Sequence, residues 1–166
     1  MLKPGFERQL PLQEMHPGEV AEMKNTEKIR ARIRFDYRGK ARPSRFFFGG
    51  KSTEEAAEEL REQQAALWRN VPLQGVLVEN IELGAIYTVY DEEADAEVAF
   101  APLELEVTAD SLNYLIRFAV RDEFRRLKIV EPEGWKLSVQ EMEEIFFEVH
   151  SQVKDQWRQK MKRYAD

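Results

Sequence analysis

The run of residues 49–52, Gly-Gly-Lys-Ser, matches the end of a phosphate-binding loop. Such a loop has the form G-x-x-x-x-G-K-[ST], and its backbone N–H groups must wrap around the phosphates. The position that requires the first glycine is Arg45, and three phenylalanines occupy residues 46–48. The glycines therefore predict a turn, and Ser52 with Glu55 predicts a capping box that starts a helix. We expect no nucleotide at this position.

Other residue types with catalytic potential are few. The chain has no cysteine, which excludes disulfides, thiolate nucleophiles and thiolate zinc sites. Of its two histidines, His150 falls on the apolar stripe of a predicted helix, where we expect a half-buried core residue. The acidic run 91–97 lacks the glycine of a calcium-binding loop and predicts a solvated hairpin tip. We therefore expect no metal and no cofactor. An enzyme with a carboxylate-lined cleft, using acids such as Glu104 and Glu106, is the third interpretation of function.

Charge is strongly segregated along the chain. Residues 28–45 contain eight Lys or Arg and one acid, whereas residues 71–116 contain ten Asp or Glu and no Lys or Arg. Such asymmetry indicates either a charged partner or pairing within the protein. Strict alternation after residue 28 places successive arginines on one face of a strand, and a second group falls on one side of a predicted helix. The predicted partner-binding residues are Arg30, Arg32, Arg34, Phe47, Arg117, Arg121 and Arg125.

Two interpretations of these arginines are open. Arginines beside an aromatic residue on an open sheet can hold single-stranded nucleic acid, because the charges follow the phosphates and the ring stacks on bases. The net charge of −6 and the lack of a diagnostic motif argue against it. Alternatively, the arginines pair with Glu97, Glu104 or Glu106 on a neighbouring strand, or the basic face of one subunit meets the acidic face of another. We favour this pairing.

Residues 30–60, RARIRFDYRGKARPSRFFFGGKSTEEAAEEL, resemble the strand, turn, strand and helix of the arm-type DNA-binding domain of tyrosine recombinases. This resemblance implies that Arg30, Arg32 and Arg34 lie on a DNA-facing sheet. It covers about a fifth of the chain, lacks the third strand that usually precedes the helix, and includes no catalytic domain.

Hydrophobic periodicity predicts an α+β fold: a mostly antiparallel sheet of about five strands with three helices, in the order ββαβββαα. Segments of strand character are 28–38, 44–48, 76–83, 86–90, 97–101 and 103–107. The predicted helices are 53–69, 111–127 and 138–164, and Leu67 belongs to the predicted buried stripe of the first. Residues 1–26 contain three prolines and predict an extended N-terminal arm. Residues 27–166 then form a single α+β domain.

The last predicted helix is about 38 Å long, which is longer than a small sheet needs. Its apolar stripe runs from Met142 to Tyr164, so we expect its C-terminal half to pack on a second copy of the chain or on the N-terminal arm. No apolar run approaches the roughly 20 residues of a membrane helix, and no secretory signal is evident. We therefore expect a cytoplasmic protein that does not contact membranes.

The sequence thus predicts a small non-enzymatic protein with an accessory or regulatory role. We expect it to form a homodimer, or to bind another protein, through complementary charged and apolar surfaces. A nucleic-acid-binding protein that uses the arginine face is the second interpretation.

Overall fold

The computed structural model describes residues 27–41 and 50–165, which form a five-stranded antiparallel sheet and three helices. The predicted α+β class, with its helix and strand numbers, is confirmed. The elements are β1 (Ile29–Arg38), α1 (Thr53–Asn70), β2 (Val76–Leu83), β3 (Tyr87–Asp91), β4 (Ala96–Ala109), α2 (Leu112–Ala119), β5 (Phe124–Glu131) and α3 (Val139–Ala165). The predicted N-terminal arm and the predicted strand 44–48, which includes Phe47, lie outside the described residues.

The strands lie in the order β2-β4-β1-β5, and β3 extends the sheet along the same edge of β4 as β2. The two strand segments predicted at 97–101 and 103–107 are parts of one strand, β4, which continues through Pro102. Proline has no N–H to donate, so it is rare inside a sheet. Here Pro102 faces the gap between β2 and β3, where Leu83 ends one pairing and Tyr87 begins the next. Its carbonyl accepts a hydrogen bond from the N–H of Gly84 in that gap, at 3.0 Å.

The core lies on one side of the sheet, beneath α1 and α2. Alternate residues of β1 are fully buried there, and Phe35 is surrounded by the rings of Trp68, Phe118 and Phe124 at centroid distances of 6.0–6.4 Å. Such aromatic contacts stabilise the fold by more than the burial of their apolar area alone would give. The predicted stripe of α1 is partly wrong, because Leu67 is 50% exposed.

The buried side of α1 includes Arg61, which the predicted stripe omitted, and Arg61 donates from Nη1 to the Gly84 carbonyl at 2.6 Å. A buried charged side chain is tolerated when it is hydrogen-bonded in this way. Ala57 and Ala65 lie on the same face of α1 and are also fully buried. Small residues at these positions bring the helix close to β4.

The helix predicted over 111–127 is wrong in its second half. α2 ends at Ala119, and residues from Phe124 form β5, which pairs antiparallel with β1. A β-bulge explains the error: Phe124 pairs with Phe35 and Leu127 with Ile33, so one extra residue separates the two inward-facing side chains. A bulge inserts one residue into a strand. The resulting spacing of three residues imitates the i, i+3 spacing of a helix.

Both predicted capping boxes are confirmed. The Glu55 N–H donates to Ser52 Oγ at 3.2 Å, and the Ser52 N–H donates to the Glu55 carboxylate at 3.2 Å. Ser138 and Glu141 form the same pair of hydrogen bonds, at 3.1 and 2.8 Å, at the start of α3. Each box satisfies N–H groups that the first turn of a helix leaves without partners.

We predict that Ser52→Ala lowers the free energy of unfolding by about 1 kcal/mol, because the N–H of Glu55 loses its acceptor. The measurement is urea denaturation followed by far-ultraviolet circular dichroism. Ser151→Ala is the matched control, since Ser151 lies within α3, where alanine is the better helix former. Equal midpoints for Ser52→Ala and the wild type would contradict the assigned role of the cap.

Candidate interaction surfaces

The side of the sheet opposite the core carries charged residues on four adjacent strands; we call it the charged face. Acidic residues occupy it on β2 and β4, and basic residues occupy it on β1 and β5. In one row of the register, Glu82 pairs with Glu104, Glu104 with Arg34, and Arg34 with Arg126. The next row runs from Asn80 through Glu106 and Arg32 to Lys128. The charge therefore changes sign between β4 and β1.

The predicted pairing of the arginine strand with acidic strands is observed for Arg32, whose Nη2 lies 2.6 Å from Glu106. The partner of Glu104 is Arg126, at 3.7 Å, rather than Arg34. Arg30 lies 3.2 Å from Glu131 on β5, and the hydrogen bond and charge of Glu131 raise the pKa of Arg30. Since all these side chains are partly exposed, solvent screens each pair and its contribution to stability is small.

Asp36 is the one acid of the basic segment, and it organises the end of the charged face. Its side chain is only 4% exposed, yet it accepts from Arg34 Nε at 2.9 Å, from Tyr87 Oη at 2.7 Å and from Arg125 Nε at 3.3 Å. Burial and the hydrogen bond to Asp36 raise the pKa of Tyr87. Asp36 thus joins β1, β3 and β5. In the sequence, Asp36 is notable only as the single acid of a basic segment. The structure shows that its carboxylate accepts hydrogen bonds from side chains of three strands.

Arg117, Arg121 and Arg125 do not share one side of a helix, so that prediction is wrong. Arg117 lies on α2 over the Tyr114 ring, at 5.4 Å. Arg121 lies in the turn after α2, with its guanidinium 5.0 Å from the Trp68 ring centroid. Arg125 belongs to β5 and reaches Asp36. Of these three residues, only Arg125 contributes to the charged face.

A cleft of about 800 Å³ lies between the end of β1, α1 and the turn before β5. Its lining mixes acids with bases: Asp36, Arg38, Lys40, Lys51, Glu59, Asp122, Glu123 and Arg125. Lys51 pairs with Glu59 across the first turns of α1. The acids named for an enzymatic cleft, Glu104 and Glu106, lie on the charged face outside it. Within the described residues, no three His, Asp or Glu side chains are grouped as metal ligands.

The long helix α3 exposes most of its large apolar residues, which we call the α3 stripe: Val139, Met142, Phe146, Val149, Val153, Trp157 and Met161. Phe146 is 75% exposed and Trp157 64%. The helix packs against α2 through a different side, on which Ile145, Gln152 and Gln156 are half-buried. His150 is exposed, so the expectation that it is half-buried is wrong. Among the described residues, each member of the stripe keeps at least 39% of its surface exposed.

No family model matches the chain, and no curated protein matches it. In the part of the chain that the structure describes, no helix is both long enough and apolar enough to cross a membrane.

We predict that Arg34→Gln with Arg125→Gln lowers the free energy of unfolding by about 3 kcal/mol. The two changes leave the buried Asp36 carboxylate without a cationic partner, and an uncompensated buried charge is costly. Adding Asp36→Asn should recover most of the loss, because it removes that charge. Urea denaturation of the double and triple variants measures both effects.

The matched control is Arg32→Gln with Arg126→Gln, which changes the same strands but affects only partly exposed glutamates. We expect this pair to cost about 1 kcal/mol or less. If the two double variants lose the same stability, or if Asp36→Asn gives no recovery, Asp36 does not have the role described.

Proposed function

We propose that this protein is a small non-catalytic binding module that self-associates through the α3 stripe, in an accessory or regulatory role. The observation that carries the proposal is the exposure of that stripe on a helix already anchored by another side. Lys160 holds α3 to the turn before β5 through a 2.7 Å contact with Asp122, and the Ile145 side packs on α2. The domain thus fixes the helix while leaving its most apolar side in water.

Contiguous apolar surface of this kind marks interaction sites in proteins of this size. Burying a phenylalanine or valine side chain contributes roughly 1.5–3 kcal/mol each, and in a symmetric dimer each contact residue is buried in both copies. Apolar burial on this scale favours a stable dimer even after the loss of translational and rotational freedom is counted. The charged face offers a second, separate surface for self-association, because its acidic and basic halves are complementary to those of another copy related by a two-fold axis.

We expect the wild type to elute as a dimer of the 19.5 kDa chain in size-exclusion chromatography with light scattering at micromolar concentration. Phe146→Gln with Val149→Gln should weaken dimerisation at least tenfold, since two central residues of the stripe become polar. Circular dichroism should remain unchanged, because neither side chain belongs to the core of the domain.

Leu67→Gln is the matched control for this experiment. Leu67 is 50% exposed on α1, so the same kind of change is made outside α3. The control variant should remain a dimer. A wild type that stays monomeric at every concentration would contradict the proposal, as would equal effects of the Leu67 change and of the paired Phe146 and Val149 changes.

Nucleic-acid binding by the charged face is the alternative, and it makes a different prediction. A polyanion approaching Arg30, Arg32 and Arg34 would also meet Glu104 and Glu106 at neighbouring register positions. We therefore expect labelled single- and double-stranded oligonucleotides to show no binding in fluorescence polarisation, even at about 50 mM salt. Arg30→Gln, Arg32→Gln and Arg34→Gln together should lower stability instead, because Asp36 loses one of its partners. Micromolar binding that the triple change abolishes and salt weakens would establish the alternative.

A further inference from the structure

We infer that two copies of the chain pair through their α3 helices in antiparallel orientation, with Phe146 of one copy beside the partner's Val149. This inference rests on the proposed self-association and assigns its geometry. It is carried by three features of α3: the spacing of the stripe, the distribution of charge along the helix, and two charged residues that have no partner within the described chain.

The stripe has the spacing of a helix–helix seam. Val139, Met142, Phe146, Val149 and Val153 follow one another at intervals of three, four, three and four residues. That alternation averages 3.5 residues and keeps the side chains on one line along the helix, where they can insert between residues of a facing helix. A second helix of the same pattern is therefore the occupant that fits this side of α3.

Charge along α3 sets the orientation of the two helices. Residues 139–151 contain four glutamates and no Lys or Arg, whereas residues 152–162 contain four Lys or Arg and one acid. An antiparallel pair places the acidic half of each helix beside the basic half of the other. A parallel pair places like charges side by side, which is unfavourable. Opposed helix dipoles favour the antiparallel pair in the same sense.

Two residues beside the stripe set the register. Glu143 and Lys154 are both exposed, and neither has an ion-pair partner among the residues that the structure describes. They are 11 residues apart, which is close to three helical turns, so they lie on the same flank of the stripe. Antiparallel helices bring equivalent flanks together.

The apolar and charged contacts agree on one alignment. Placing Phe146 beside the partner's Val149 also places Met142 beside the partner's Val153. In this alignment Glu143 lies within two residues, about 3 Å along the axis, of the partner's Lys154. A long side chain spans that offset. One register therefore allows the apolar contacts between the two stripes and both symmetry-related Glu143–Lys154 ion pairs.

Cysteine crosslinking tests the orientation directly, because the chain contains no cysteine. Met142→Cys and Val153→Cys are prepared as separate variants, one carrying a distinguishing tag, and oxidised alone or after mixing. In the antiparallel pair, identical positions are about 16 Å apart along the axis, so neither variant alone forms a disulfide, which requires Cα atoms within about 7 Å. The mixture should form the mixed disulfide. A parallel pair gives the reverse result, with each variant crosslinking to itself, and would overturn the inference.

A charge exchange tests the register. Glu143→Lys and Lys154→Glu should each weaken dimerisation about tenfold, since each replaces two favourable contacts by two repulsive ones. The double exchange should restore the affinity, because both ion pairs re-form with reversed sign. Glu144→Lys, a change of the same charge on a different side of α3, should have a smaller effect. Lack of recovery in the double variant would overturn the register.

These outcomes separate the geometry from the proposed function. If the wild type dimerises and the Phe146 and Val149 changes dissociate it, while crosslinking shows identical positions in contact, self-association stands and the antiparallel geometry fails. If the wild type is a monomer and no variant crosslinks, both fail together.

Discussion

The rest of the structure depends on one constraint: β1 is paired on both edges, and its two faces lie in different environments. One face packs in the apolar core, and the other is charged and faces solvent. Its inward residues, among them Ile33 and Phe35, are fully buried between the sheet and the helices. Its outward residues are charged, and β4 and β5 fix them in register. Because strand side chains alternate, a shift of one residue would bury the arginines and expose the core. The alternation therefore sets the register of three strands and collects the arginines on one side.

That placement would be unfavourable if the neighbouring strands were also basic. β2 and β4 come from the segment that lacks Lys and Arg, so the strands that flank the arginines on one side supply carboxylates. On the other side β5 is itself basic, and Asp36 offsets the repulsion by accepting from Arg34 and Arg125 at once. Acidic and basic segments that are separate along the chain are therefore neighbours in the sheet, where their charges offset one another. This compensation is the reason to favour protein contacts over a polyanion on the charged face.

The features that the sequence predicted are those set by local pattern. Strict alternation predicted the two sides of β1, and S-x-x-E predicted both capped helix starts. The missed features depend on contacts between distant segments. The bulge in β5 is defined only by its pairing with β1, and Arg61 is buried because the Gly84 carbonyl lies within its reach. Likewise, nothing local shows that Asp36 joins three strands, although it is the single acid among the eight bases of residues 28–45.

The α3 stripe is a local pattern that was visible in the sequence but whose surroundings were not. Its apolar spacing was evident in the sequence, but only packing shows which side of the helix the domain covers. The domain covers a side on which Gln152 and Gln156 accompany Ile145, and it leaves Phe146 and Trp157 exposed. α2, which anchors this helix, lies on the core side of the sheet, because Leu115 and Phe118 enter the core. The stripe and the charged face are therefore separate surfaces, and the proposed association through α3 would leave the charged face free for a second contact.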